Sequence, residues 1–135
     1  MAQADLSNIT VLAIDDMDTS LIIFRSLLEV IGVGTILTAT NGQEGLDVLN
    51  GFDGTVDAIV CDLLMPVMDG HDFVENLRAL DDKSKSELPV IIVSNKNNLS
   101  DIKRASKAGA QAYLLKPVEL KILEKWLRES LGLAA

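Results

Sequence analysis

Short, unbroken apolar runs alternate along this chain with longer stretches whose apolar positions recur at helical spacing. Residues 11–14, 35–39, 58–61, 90–93 and 112–115 are runs of the first kind. They are too short for amphipathic helices and read as strands, most of them buried on both faces of a parallel sheet. Helical patterns fill the intervals. Over residues 19–31, Leu21, Phe24, Leu28 and Ile31 form one stripe, and Gly32 follows as a C-cap. Asn41-Gly42 opens a second helix to residue 49, halted by Asn50-Gly51. Residues 63–70 hold Pro66 and Gly70 and read as a loop, with Met65 and Met68 packing it on the sheet. A third helix follows over 71–80. The charged, Ser/Lys-rich run 81–87 reads as a solvated loop before Pro89 introduces the fourth strand. Ser100 is the expected N-cap of a helix ending near Gly109, and a last helix spans 118–131. Strands alternating with helices imply right-handed βαβ crossovers, hence an α/β, doubly wound, three-layer sandwich.

Composition narrows the class. A chain of 135 residues is one domain, 1–135 with a core over about 9–131, and 48% hydrophobic with only 4% aromatic residues fits an aliphatic α/β interior. The net charge of −8 argues against direct nucleic-acid or anionic-membrane partners. No apolar stretch approaches the roughly 20 residues that span a bilayer, and the N-terminus carries no signal pattern. A single cysteine, Cys61, excludes an internal disulfide and suits a cytoplasmic location; within a strand it is an inert thiol. A chain that stops at Leu133-Ala134-Ala135 suits both a stand-alone protein and a piece of a longer one.

Four of the strands end in chemistry. Asp15-Asp16 follows the first, Asp62 the third, Ser94 the fourth and Lys116-Pro117 the fifth. Ligands of open α/β sheets bind at the carboxyl ends of the strands, so these residues converge on one edge. Clustered carboxylates repel one another unless a cation neutralises them, and hard oxygen donors suit Mg2+ or Mn2+. A carboxylate can itself be the nucleophile that forms an aspartyl-phosphate, with Ser94 donating to a phosphoryl oxygen and Lys116 neutralising charge. His71, the sole histidine, reads as a surface residue at a helix start.

VLAIDD at 11–16, CDLLMPVMDG at 61–70, VIIVSN at 90–95 and YLLKP at 113–117 together resemble the receiver domain of two-component response regulators, the chemotaxis-regulator family. The resemblance covers nearly the whole chain. It implies a flavodoxin-like fold with a five-stranded parallel sheet of order 2-1-3-4-5 and five helices. It also implies a phosphorylation-switched signalling domain, an enzyme only toward its own phosphorylation and dephosphorylation. Asp62 would take a phosphoryl group from a phosphohistidine of a sensor histidine kinase or a histidine phosphotransfer protein. Asp16 and Asp62 would ligate Mg2+ by side chain, Leu64 by its backbone carbonyl and Asp15 through water. Lys116 would hold the phosphoryl oxygens, Ser94 and Tyr113 would be the switch pair, and Pro117 would follow a cis bond.

Signalling to a downstream protein, or to a second copy in a homodimer, would use the face of the fourth helix, fifth strand and fifth helix. There the apolar positions of the last helix span an arc of about 220°, wider than a core stripe of a little over 100°, which marks Trp126 and Ile122 as interface candidates. Three positions depart from the family's habit or tune it. Asn95 stands where Ala or Gly is usual. Leu64 cannot orient an attacking water, and Lys96 can cover the phosphoryl group, so a long-lived aspartyl-phosphate is expected. A second reading rests on Asp16-Met-Asp18-Thr-Ser20, which resembles the nucleophile motif of haloacid-dehalogenase-type phosphatases. That fold needs a further strand with an acidic pair after the lysine, and it leaves Asp62 without a role.

Overall fold

The computed structural model describes residues 4–133. Five parallel strands, β1 (Thr10–Ile14), β2 (Thr35–Ala39), β3 (Ala58–Asp62), β4 (Val90–Ser94) and β5 (Ala112–Leu115), form one sheet of order β2-β1-β3-β4-β5. The three central strands are buried at every position because helices cover both faces of the sheet. Alternate side chains therefore enter two separate cores. Val11, Ala13, Val60, Ile91 and Val93 pack with Phe24, Leu28, Leu123 and Leu127 from α1 (Asp18–Ile31) and the C-terminal helix. Leu12, Ile14, Ile59, Cys61 and Ile92 face α2 (Gly42–Gly51) and α3 (Gly70–Arg78) on the other side. Each such aliphatic side chain contributes about 1.5–3 kcal/mol by leaving water. The result is the doubly wound sandwich that the alternating pattern implies, in the flavodoxin-like strand order that the resemblance implies.

Local chemistry sets the element ends. Gly32 closes α1 in the left-handed region at φ 104°, where its N–H reaches back to Leu28 and Glu29 carbonyls. Asn41 and Asp69 cap α2 and α3 by accepting the N–H groups of Glu44 and Asp72. Gly70 allows α3 to start hard against the end of β3. A Cβ there would lie 2.7 Å from the Asp62 carbonyl oxygen and 2.9 Å from Leu63 Cα. At the opposite edge of the sheet, the Arg78 guanidinium donates to the carbonyls of Ser86, Leu88 and Gly109.

Several expectations need correction. Residues 81–87 are not all loop: a single-turn helix, α4 (Lys83–Ser86), forms because Asp82 caps it, accepting from the Ser84 amide and hydroxyl. Among the described residues there are thus five long helices and one short one. Helix α5 (Leu99–Ala108) is capped by Asn98, not Ser100; the Asn98 side chain accepts the Asp101 N–H at 2.9 Å. Asn and Ser cap almost equally well, so sequence could not choose between positions two residues apart. The last helix, α6 (Leu120–Ser130), starts two residues later than residue 118, capped at Glu119 without a side-chain hydrogen bond. His71 is the largest miss. It is buried, because position 71 shares a face of α3 with Val74 and meets a carboxylate on α5 that lies 30 residues away in sequence.

Candidate functional site

The carboxyl ends of β1, β3, β4 and β5 bring the polar strand-end residues together as expected. Asp15 is fully buried where β1 ends, Asp62 is buried at the last position of β3, and Asp16 is exposed beside them. One carboxylate oxygen from each of the three lies within 4.8 Å of the others. Lys116, entering from the end of β5, places Nζ 3.0 Å from Asp15 Oδ2 and 3.0 Å from Asp62 Oδ1. The remaining Asp15 oxygen accepts the Met17 N–H at 3.0 Å, which fixes the acid's orientation. Beneath the lysine, the Phe24 ring on α1 lies 5.8 Å from Nζ, within cation–π range. Sequence reasoning missed this role for Phe24, since the ring also belongs to the α1 core stripe.

Electrostatics follow from this crowding. Burial, reinforced by the charge of Asp15, raises the Asp62 carboxyl above its ordinary range despite the opposing contact with Lys116. For Lys116, burial is the largest single influence and pulls its pKa down, but its contacts with Asp15 and Asp62 together outweigh it and leave the ammonium raised. Burial also pushes the Cys61 thiol well up, with Asp62 next, so the thiol stays protonated and inert. Three carboxylates against one ammonium leave the cluster short of positive charge. Hard oxygen donors at this spacing fit a divalent cation of the Mg2+ class.

The switch candidates surround this cluster. Ser94 is buried, and its Oγ accepts the Lys96 N–H at 3.0 Å. Tyr113 is half-buried, and its hydroxyl donates to the Lys96 carbonyl at 2.8 Å. The backbone of one residue, Lys96, therefore holds both hydroxyls, through the two peptide groups that flank it. The Lys116–Pro117 bond is cis. Leu64 is 53% exposed at the mouth, and Asn95 and Lys96 are exposed on the β4–α5 loop. Asn95 also lines a cleft of about 290 Å³ with Phe24, Lys116 and Pro117. The loop after β3 holds a feature that the sequence did not betray. Val67 sits at φ 70°, a conformation costing a β-branched residue roughly 1–3 kcal/mol. The loop is pinned there by Met68 N–H to Pro66 O at 2.8 Å and by Gly42 N–H to Met68 O at 3.2 Å.

On the far side, Ile122 is 42% exposed and Trp126 half-buried. His71 and Asp18 take no part in the cluster. Among the described residues, α6 alone follows Lys116, so the extra strand that a haloacid-dehalogenase-type site needs is missing. No helix among the described residues is long and apolar enough to cross a membrane.

A flavodoxin-like sheet with an aspartate triad and a lysine on its carboxyl edge defines the class, and comparison with known proteins agrees. Residues 11–128 match the response regulator receiver domain family, and the chain belongs to it. It is 39% identical over 127 residues to the sensor histidine kinase CheAY of Helicobacter pylori, an alignment covering 94% of this chain but only 15% of the kinase. It is 31% identical over 121 residues to a chemotaxis protein CheY homolog of Campylobacter jejuni, covering 90% and 91% of the two chains. The crystal structure of a response regulator receiver domain protein from Clostridium thermocellum superposes with a TM-score of 0.81 at 30% identity, covering 92% of this chain and 94% of that one. A receiver domain is a signalling module rather than an enzyme in the ordinary sense.

The raised Asp62 carboxyl gives a stability prediction. A folded-state pKa above the unfolded value means that ionising Asp62 weakens the fold; the penalty is present above the raised pKa and gone below the ordinary aspartate range. In EDTA, Asp62→Asn should therefore raise Tm at neutral pH. The gain should shrink as pH falls through the carboxylate range. Calorimetry across that range checks this, and an unchanged or lower Tm at neutral pH contradicts it.

Proposed function

We propose that this domain is a phosphorylation switch in which Asp62 takes a phosphoryl group from a phosphohistidine on a sensor histidine kinase or histidine phosphotransfer protein. A carboxylate oxygen of Asp62 attacks phosphorus, an O–P bond forms, and the N–P bond breaks. The histidine ring leaves with the electron pair and takes a proton from solvent. The observation that carries this reading is the Asp15–Lys116–Asp62 bridge. Burial and Asp15 keep Asp62 basic for a carboxylate, hence nucleophilic, while Lys116 at Oδ1 favours its ionised form and leaves the other oxygen to attack. Asp16 and Asp62 by side chain, Asp15 through water and Leu64 by its carbonyl would hold Mg2+, with Mn2+ a substitute, which supplies charge neutralisation for the phosphoryl oxygens.

After transfer, Lys116 pairs with a phosphoryl oxygen. Ser94 Oγ exchanges the Lys96 N–H for another phosphoryl oxygen, and Tyr113 moves with it, carrying the change to the α5–β5–α6 face. That face offers Ile122 and Trp126 to a downstream protein or a second copy of the chain. We place the domain in the cytoplasm, where a free Cys61 is stable.

Incubation with a phosphorylated histidine kinase and Mg2+ tests the reading. Wild type should acquire one acid-stable, base-labile phosphoryl group, lost in EDTA and in Asp62→Asn. Label at wild-type level in Asp62→Asn would overturn it. Lifetime is a separate matter. Leu64 presents no hydrogen-bonding group to water, and one missing hydrogen bond to the attacking water is worth about 1–2 kcal/mol, or a roughly five- to thirtyfold slower hydrolysis. Dephosphorylation of Leu64→Asn and Lys96→Glu should therefore be faster than that of wild type by this order. If neither substitution speeds it, these side chains do not protect the phosphoryl group.

A further inference from the structure

Helix α5 is held mainly by polar contacts with α3. Only Ala105 on it is fully buried, and Leu99 in its first turn is 62% exposed. Three side-chain contacts reach it from α3. Arg104 contacts Asp72 at 3.2 Å and Glu75 at 3.0 Å, but these groups are exposed, and such pairs contribute about 0–1 kcal/mol. The third contact is different in kind. The His71 ring is 3% exposed, and its Nε2 lies 3.1 Å from Asp101 Oδ1. A carboxylate only accepts, so Nε2 carries the hydrogen. Contacts from His71 and then Asn98 hold the Asp101 carboxyl below its usual range, which keeps the acceptor charged. Nδ1 is buried with no partner among the described residues. A half-satisfied buried ring is a poor choice for stability alone, since a well-packed aliphatic residue avoids its desolvation cost.

The two ends of this contact touch the site. His71 follows Gly70, whose N–H donates to Leu63 O at 2.7 Å and which has no room for a Cβ beside the Asp62 carbonyl. The first turn of α3 is thus referenced to the acceptor's own backbone. At the other end, the Asp101 N–H donates to Asn98 Oδ1 at 2.9 Å, closing the loop over residues 95–98. Within that loop, the Lys96 backbone holds both hydroxyls: its N–H donates to Ser94 Oγ and its carbonyl accepts from the Tyr113 hydroxyl.

We propose that His71 is a positioning residue for the switch: through Asp101 and Asn98 it fixes the 95–98 loop in the place where the Lys96 backbone holds Ser94 and Tyr113 at rest. The proposal rests on the reading of those two residues as the switch pair. Releasing His71 frees the first turn of α5, loosens the Lys96 backbone and lowers the resistance to the phosphorylated arrangement.

Amide hydrogen exchange on the intact, unphosphorylated chain tests this without relying on phosphorylation. His71→Leu removes the donor and keeps an apolar group of similar size. Exchange over residues 99–108 should accelerate roughly tenfold, with α1 and α3 unchanged and the urea midpoint equal or higher. His71→Gln, which restores an N–H donor, should return protection. Unchanged exchange in α5, equal loosening of every helix, or failure of Gln to rescue would each overturn the proposal. A second arm adds Mg2+ and a phosphorylated kinase and follows Trp126 emission, since Trp126 shares a groove with Ile102, Ala105 and Ser106 of α5. His71→Leu should complete the emission change at lower phosphorylation than wild type, and an identical dependence counts against the proposal. If wild type takes no phosphoryl group, the functional reading fails while the exchange result still judges the contact.

Discussion

The ammonium of Lys116 stands 3.0 Å from each of two buried carboxylates, and the architecture around it answers to that contact. Asp15 and Asp62 end neighbouring strands, so the sheet itself forces their charges together in a poorly solvated place. Without a cation between them, both could not stay ionised at modest cost. Lys116 can reach them only because β5 runs parallel to β4, next in line after β3, and delivers its side chain to the same edge. The arrangement is balanced incompletely by design of its parts: one positive charge serves three negative ones. That residual demand for positive charge suits a site that takes up a cation and then a phosphoryl group.

The same edge explains how a local event could travel. The Lys96 backbone accepts from Tyr113 and donates to Ser94, so one loop of four residues connects the carboxyl end of β4 to the edge strand β5. Helix α5 begins directly after that loop and buries little apolar surface, whereas α3 and α1 are anchored by Phe73, Leu77, Phe24 and Leu28. A weakly anchored element beside a rigid core is the kind of segment that moves at low cost.

Much of this was legible in the chain because the informative signals are local. Unbroken apolar runs identify β1, β3 and β4, and the polar residue that ends each run identifies the functional edge. The Asp15, Asp62, Ser94 and Lys116 positions follow from that logic alone, and order 2-1-3-4-5 followed from family resemblance. What escaped were contacts between positions remote in sequence, or choices between equivalent residues. His71 looked like a surface histidine because its partner, Asp101, is 30 residues away. Asn98 and Ser100 are both good caps, and α4 depends on a single aspartate in a charged run. Val67 at positive φ has no sequence signature, since a β-branched residue is the least expected occupant of that region.

Asp15 and Asp62 repel one another, and among the described side chains it is Lys116 that offsets this. A double-mutant cycle on unfolding free energy in EDTA, using Lys116→Met and Asp62→Asn, measures it directly. Lys116→Met should cost about 3–5 kcal/mol in the wild-type background, as expected for stripping a buried carboxylate of its partner. In the Asp62→Asn background the cost should fall by about 0.5–3 kcal/mol, because one of the two repelling charges is gone. Additive effects, with no coupling between the two positions, would contradict the account.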